Sequence, residues 1–247
     1  MGPNIVLVGM VLNAMPIGEY DKRITLLTKE RGKVTAFVRG ARRPTSQLLA
    51  AASPFSFGEF ELYEGRSTYN LTRAVISNYF RELSCDPAKA CYGFYFLEVA
   101  EYCARENDDA TELLGLLYQS LRALSSRSLD ARLVRRIYEL RILLEEGEYP
   151  NLFSCQNCGK KEGLTFFSIE RRGTLCSECG EGIKVMPIEE SALYAMQRIL
   201  SSKIKNLYTF SVSEEILFRI AAITDRLFEA QISHKFRSLE ILEAIIG

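Results

Sequence analysis

The sequence predicts an α+β protein in which a small five-stranded β-barrel is followed by an α-helical bundle with a short cysteine-rich insertion. Within the first 80 residues, short apolar segments alternate with turn residues, as they do in β-strands. From residue 86 onward the apolar side chains recur every three to four positions, which is the period of amphipathic helices. Two Cys-x-x-Cys pairs, separated by 17 residues, interrupt the helical pattern.

The barrel strands are predicted over residues 5–11, 24–28, 34–38, 55–63 and 69–76. Residues 30–33 are the turn between the second and third strands, where Gly32 supplies the positive φ of a tight hairpin. The stretch 41–54 is irregular, with one helical turn near 48–52. Five short strands with a basic surface favour the oligonucleotide-binding (OB) fold.

The helical part begins at Asp86, an N-cap residue that Pro87 follows at the first helical position. Six helices are predicted, over residues 86–105, 111–124, 128–146, 187–200, 213–232 and 238–246. We therefore expect two domains, a barrel over residues 1–80 and a helical domain over residues 81–247. The cysteine-rich insertion in the second domain covers about residues 151–186.

Composition and motifs argue against a membrane-spanning protein, a secreted protein and several classes of enzyme. The chain has 247 residues, of which 47% are hydrophobic and 25% charged, and no apolar run approaches the roughly 18 residues that span a bilayer. The N-terminus lacks the pattern of a signal peptide. Its one histidine, His234, and the absence of a phosphate-binding glycine motif argue against nucleotide hydrolysis and histidine-based catalysis. We expect a protein that is not an enzyme.

Charge is segregated along the chain although 31 basic residues balance 31 acidic ones. Between Lys22 and Arg43 there are eight basic residues and one acidic residue, Glu30. Such a segment predicts a face that binds nucleic-acid phosphates, and the alternative is an ordinary solvated surface. The candidate DNA-binding residues are Lys22, Arg23, Arg31, Lys33, Arg39, Arg42, Arg43 and Arg66.

Four aromatic residues of the barrel, Tyr20, Phe37, Tyr63 and Tyr69, are candidates for stacking on bases. Each of them could instead belong to the barrel core.

The paired cysteines predict a zinc site. Cys155, Cys158, Cys176 and Cys179 have the spacing of two zinc knuckles, and a β-hairpin over residues 164–169 and 173–175 would bring the knuckles together. Four thiolates close the coordination shell, so one Zn²⁺ would be structural. Two disulfides are the alternative, which suits secreted proteins better.

Several stretches, in this order along nearly the whole chain, resemble the RecO family of bacterial DNA repair proteins. They are Gly18-Glu-Tyr-Asp-Lys22, Leu26-Leu-Thr-Lys-Glu-Arg-Gly-Lys33, Val38-Arg-Gly-Ala-Arg-Arg-Pro44, Pro54-Phe55, Gly58-Glu-Phe-Glu-Leu-Tyr63, the paired cysteines with Phe166-Phe167-Ser168 and Gly173 between them, and His234-Lys-Phe-Arg-Ser-Leu239.

The resemblance implies an OB barrel, a helical domain with an inserted zinc ribbon, and a cytoplasmic, nucleoid-associated protein. It implies binding of single- and double-stranded DNA, annealing of complementary strands without ATP, and partnership with RecR in helping RecA displace the single-stranded-DNA-binding protein. The acidic C-terminal tail of that protein is expected to bind a hydrophobic pocket lined with basic residues, for which the best match is Arg132, Arg135, Arg136 and Arg141. Two rival functions are a zinc-ribbon module for RNA or transcription and an adaptor that binds only proteins.

Overall fold

The computed structural model describes residues 4–65 and 68–246. It confirms the α+β class, with a closed barrel first and helices after it. The barrel strands are β1 (Asn4–Ile17), β2 (Asp21–Thr28), β3 (Gly32–Val38), β4 (Phe57–Glu64) and β5 (Tyr69–Asn78). Their order around the barrel is β1-β2-β3-β5-β4, and β4 pairs again with β1.

Strand β1 closes the barrel because it is long enough to pair on both sides. Its first half lies antiparallel to β4, and its second half lies antiparallel to β2. The register shifts between Val11 and Asn13, where a bulge bends the strand from one partner to the other. The predicted first strand stopped at residue 11 because the pattern beyond the bulge is no longer a continuous apolar run.

The barrel interior is filled mainly by aliphatic side chains, with one phenylalanine. Alternate residues of each strand point inward, as the pleat requires. The fully buried members include Val11, Ile24, Leu26, Ala36, Val38, Phe60 and Leu62. None of the four candidate stacking aromatics is fully buried in this core: Tyr20 is exposed, and Phe37, Tyr63 and Tyr69 are half-buried. Of these, Tyr69 packs against the core.

The helices are α1 (Pro87–Cys103), α2 (Thr111–Ser125), α3 (Ala131–Glu145), α4 (Ser177–Gly180), α5 (Glu190–Ser201), α6 (Glu214–Gln231) and α7 (Arg237–Ile246). The Asp86 side chain caps α1 as predicted, because it accepts hydrogen bonds from the backbone N–H groups of Ala88 and Lys89. Asp130 caps α3 in the same way, so that helix begins at Ala131 rather than at residue 128.

The chain forms two compact units. One contains the chain up to Ser125 and again from Phe236, and the other is Ser126–Lys235. In the first unit, α7 packs on α1, and the Glu98 carboxylate of α1 accepts hydrogen bonds from the backbone N–H groups of Arg237 and Ser238 at the start of α7. The expected domain boundary at residue 80 stays a prediction.

The insertion carries a three-stranded sheet made of β6 (Leu164–Ser168), β7 (Gly173–Cys176) and β8 (Met186–Pro187), in the order β7-β6-β8. The predicted hairpin is present. The predicted helix start at Pro187 is wrong, because Pro187 pairs with Phe166 at the edge of the sheet, and α5 begins three residues later.

Over the described ranges, no helix is both long and apolar enough to cross a membrane.

Candidate nucleic-acid interface and metal centre

The structure separates the predicted DNA-binding residues into two groups at opposite ends of the β2–β3 hairpin. Lys22 pairs with Val38 at one end, and Thr28 pairs with Gly32 at the other. Thr28 lies six positions after Lys22 along the strand, so the two ends lie about 20 Å apart. We call the group at the Lys22 end the basic end of the barrel; it comprises Lys22, Arg23, Arg39, Arg42 and Arg43.

The loop that carries Arg39, Arg42 and Arg43 is held in place by backbone contacts. The Asp21 carboxylate accepts a hydrogen bond from the Gly40 N–H at 2.7 Å, and Gly40 has a φ of 63°. Arg42 donates from its backbone N–H to the Tyr20 carbonyl at 2.8 Å, and its Nη1 lies 3.2 Å from the Gly18 carbonyl oxygen. Arg42 therefore shapes the loop as well as adding charge.

The side chains of Arg39 and Arg43 are exposed. Arg39 has no hydrogen-bond or ion-pair partner among residues 4–65 and 68–246. The Arg43 guanidinium lies over the Tyr20 ring, 5.0 Å from its centroid. Because no carboxylate neutralises either arginine there, both are available to an incoming phosphate.

Lys22 shows how concentrated the positive charge is. Its Nζ donates to the Ala52 carbonyl at 2.9 Å and is partly buried. Burial lowers the pKa of Lys22, and the nearby Arg42 guanidinium lowers it further. Residues 18–23 and 39–43 contain two carboxylates, Glu19 and Asp21, against these five cations.

A row of outward side chains crosses the wall of the barrel beside the basic end. Met15 of β1, Arg23 of β2 and Phe37 of β3 are register partners and therefore lie on the same face. Arg23 Nη2 lies 3.3 Å from Met15 Sδ. Met15 is 48% exposed and Phe37 is half-buried. The row places a thioether, a guanidinium and an aromatic ring side by side.

At the other end of the hairpin, the predicted cations already have partners in the protein. Arg31 Nη1 lies 2.6 Å from the Tyr69 hydroxyl and 3.4 Å from a Glu64 carboxylate oxygen. Lys33 Nζ donates to the Glu101 carbonyl at 3.2 Å. The structure thus does not bring Arg31 and Lys33 together with the basic end. Arg66 lies outside the described residues.

The four predicted metal ligands lie together. The sulfur atoms of Cys155, Cys158, Cys176 and Cys179 are all within 4.8 Å of one another. The Cys158 and Cys176 sulfurs are 3.7 Å apart, close to the roughly 3.8 Å that tetrahedral coordination with 2.3 Å Zn–S bonds requires. A disulfide needs about 2.05 Å, and all four cysteines are free. The donor set therefore fits one metal ion rather than two disulfides.

Backbone N–H groups in this cluster stabilise the thiolate form of Cys155. Burial raises the pKa of the Cys155 thiol, but hydrogen bonds from the N–H groups of Cys158, Cys176 and Asn157 outweigh it and lower the pKa to about 6. For Cys158 the Lys160 N–H lowers the pKa, whereas desolvation and the neighbouring thiols raise it to about 11. The Cys155 thiolate therefore forms readily, whereas a bound cation would be needed to hold Cys158 as a thiolate at neutral pH.

The four arginines predicted to bind a partner lie on α3, but their environments differ. Arg135 Nε and Arg136 Nη1 bind the two oxygens of the buried Glu139 carboxylate at 2.7 and 2.9 Å. Both arginines also contact Asp225 of α6.

Arg141 Nη1 donates to carbonyl oxygens at the end of α5, including that of Ser202 at 3.0 Å. Arg132 has the most exposed guanidinium of the four, and it contacts Asp130 and Glu214.

Two family profiles match the chain. The profile described as "Recombination protein O N terminal" matches residues 4–80, and the one described as "Recombination protein O C terminal" matches residues 85–240. A DNA repair protein RecO of Acetivibrio thermocellus is 30% identical over 239 residues, which cover 96% of this chain and 95% of that protein. One of Clostridium novyi is 30% identical, with 94% and 91% covered. One of Bacillus pumilus is 34% identical over 171 residues, with 69% and 66% covered.

Proposed function

We propose that this chain, which belongs to the RecO family of DNA repair proteins, binds DNA through the basic end of its barrel and anneals complementary strands without consuming a nucleotide. Its role in DNA repair and recombination follows from the family. The observation that carries the proposal further is the pair of exposed arginines, Arg39 and Arg43, that no carboxylate among the described residues neutralises.

The proposed mechanism is electrostatic. Two complementary strands repel each other through their phosphates, and cations that contact both backbones lower this repulsion while bases find their register. Phosphate contacts fix position and carry no sequence information, so binding is independent of sequence. The annealed duplex is the more stable state, which is why no nucleotide hydrolysis is required.

The metal in this proposal is one structural Zn²⁺ held by Cys155, Cys158, Cys176 and Cys179. Its contribution is to fold the small sheet of β6, β7 and β8, which has too few residues for a core of its own. The thiolate shell leaves no open coordination position, so the proposal gives zinc no part in chemistry on DNA.

RecR and the single-stranded-DNA-binding protein are the proposed partners, with RecA as the recipient of the cleared strand. Within α3, the acidic protein tail is proposed to contact Arg132, which has the most exposed guanidinium of the four and would exchange its surface contacts with Asp130 and Glu214 for the tail. The other three arginines are buried, and they hold α3 in place through their contacts with Glu139, Asp225 and the end of α5.

The test is DNA binding over a salt series with the double variant Arg39→Ala/Arg43→Ala. Losing two phosphate contacts should weaken binding to every sequence and reduce the slope of log K against log salt by about 1.4 on single strands. The matched control, Arg127→Ala/Arg226→Ala, removes two exposed arginines of the other unit and should leave the slope unchanged. An unaltered slope in the Arg39/Arg43 variant would contradict the proposed interface.

A further inference from the structure

The basic end is bordered by exposed apolar side chains that phosphate binding does not explain. Met15, Ile17, Tyr20 and Leu49 are each between 37% and 48% exposed, and all lie in β1, the β1–β2 turn or the loop that follows β3. Half-buried Phe37 lies on the adjoining wall. Apolar surface gains nothing from a phosphate, so these residues indicate a second kind of contact.

We infer that the Met15–Arg23–Phe37 row is a base-stacking platform that selects unpaired DNA over duplex. This inference rests on the proposed function and specifies which DNA the same site prefers.

Register places these three side chains on one face of β1, β2 and β3, so they form a continuous surface. An aromatic ring, a planar guanidinium and a polarizable thioether all make favourable contacts with the flat face of a base. Arg23 contacts the Met15 sulfur and has no carboxylate partner among the described residues. Its guanidinium is therefore held in the row without being neutralised.

The polar residues of the next row extend the same face. Asn13, Thr25 and Thr35 are register partners of one another across β1, β2 and β3. Asn13 and Thr35 are exposed. Their side chains offer hydrogen-bond donors and acceptors to base edges.

The geometry favours a single strand for a physical reason. In a duplex the bases stack on each other and present only sugars, phosphates and groove edges, whereas an unpaired strand exposes base faces. A strand whose phosphates meet Arg39 and Arg43 can turn its bases toward Phe37. A duplex gains the phosphate contacts alone.

The experiment compares a single strand with its own duplex, using the full chain and fluorescence anisotropy at one salt concentration. Phe37→Leu keeps an apolar side chain but removes the ring, and it should weaken single-strand binding at least about fivefold while changing duplex binding less than about twofold. Arg39→Ala/Arg43→Ala should weaken both. Equal losses on the two substrates, or no loss on the single strand, would overturn the platform while leaving the basic interface in place.

A second variant uses the absence of tryptophan from this chain. Phe37→Trp introduces a single tryptophan, which can be excited apart from the 12 tyrosines and which a stacked base should quench when the single strand binds. Val75→Trp, on the outer surface of β5 beside Glu59, is the matched control and should not be quenched. Absence of quenching at residue 37, in a variant that still binds the strand, would also overturn the inference. If the unaltered protein binds no DNA, the proposed function itself fails, which is a distinct result.

Discussion

Gly32 occupies the tightest point of the β2–β3 turn. Its φ is 59°, and a Cβ atom there would lie 2.1 Å from the carbonyl oxygen of Arg105. The backbone of Lys33 donates to that same oxygen at 2.8 Å, and Asn107 donates to Arg31. The β2–β3 turn is therefore hydrogen-bonded to the segment that follows α1. This explains why the side chains of Arg31 and Lys33 have partners within the protein.

Gly32→Ala should destabilise the protein by about 3 kcal/mol, because it adds a backbone clash to the cost of a left-handed conformation. Gly18 is the matched control, since its φ is 56° and nothing lies within 4 Å of the position that an alanine methyl group would take. Gly18→Ala should lose only about 1 kcal/mol. Urea unfolding measures both free energies of unfolding. Equal losses in the two variants would mean that the Arg105 carbonyl does not exclude a side chain at position 32.

Helix α3 places charge inside the second unit. Glu139 is 1% exposed, and its two carboxylate oxygens are each bound by a different arginine. Such a cluster is stable only while it is complete, because any member left alone is a buried charge. The arginine spacing on this helix thus has a structural use that charge counting along the sequence does not reveal.

Glu139→Gln should lower the free energy of unfolding by about 3–5 kcal/mol, since two buried guanidinium groups then keep only the half-exposed Asp225 carboxylate between them. Asp225→Asn should have a smaller effect, because that carboxylate is half-exposed and screened by water. Urea unfolding that shows no loss in Glu139→Gln would contradict the assigned role of the cluster.

The proposed zinc ion should determine whether the cysteine-bearing element folds. Cys155→Ser removes a buried ligand and should reduce bound zinc to well below one ion per chain, while DNA binding by the barrel persists. Cys85→Ser, at an exposed cysteine outside the cluster, is the control and should retain the metal. A zinc-release assay measures both. Full retention by Cys155→Ser would contradict the four-thiolate site.

Metal affinity should also fall as the pH is lowered. Binding requires thiolates, so protons compete with the metal. Because the pKa of Cys158 is raised to about 11, its thiol carries a proton at neutral pH, and this proton must leave when the metal binds. Below pH 6 the Cys155 thiol, with a pKa of about 6, is protonated as well, and zinc loss should steepen there. Zinc release followed over about pH 5–8 would show this, and a flat profile would contradict it.

Across the whole chain, local sequence patterns predicted most elements and the four cysteines that lie together. Strand alternation, the Asp86-Pro87 cap and the spacing of the cysteines are all local signals. What the patterns missed depends on long-range pairing. The bulge in β1, the outward direction of Met15 and the partners of Arg31 follow from strand register, which no short window contains. The same holds for the Glu139 cluster, whose further member Asp225 is 86 positions away along the chain.

In the proposed function, the basic end of the barrel brings two complementary strands together. Its most direct test is annealing of two complementary oligonucleotides, with no nucleotide added, across a salt series. The unaltered protein should accelerate annealing, the acceleration should fade as salt rises, and Arg39→Ala/Arg43→Ala should lose most of it at low salt. Annealing that is no faster with the protein than without it, or that the double variant supports equally well, would contradict the claim.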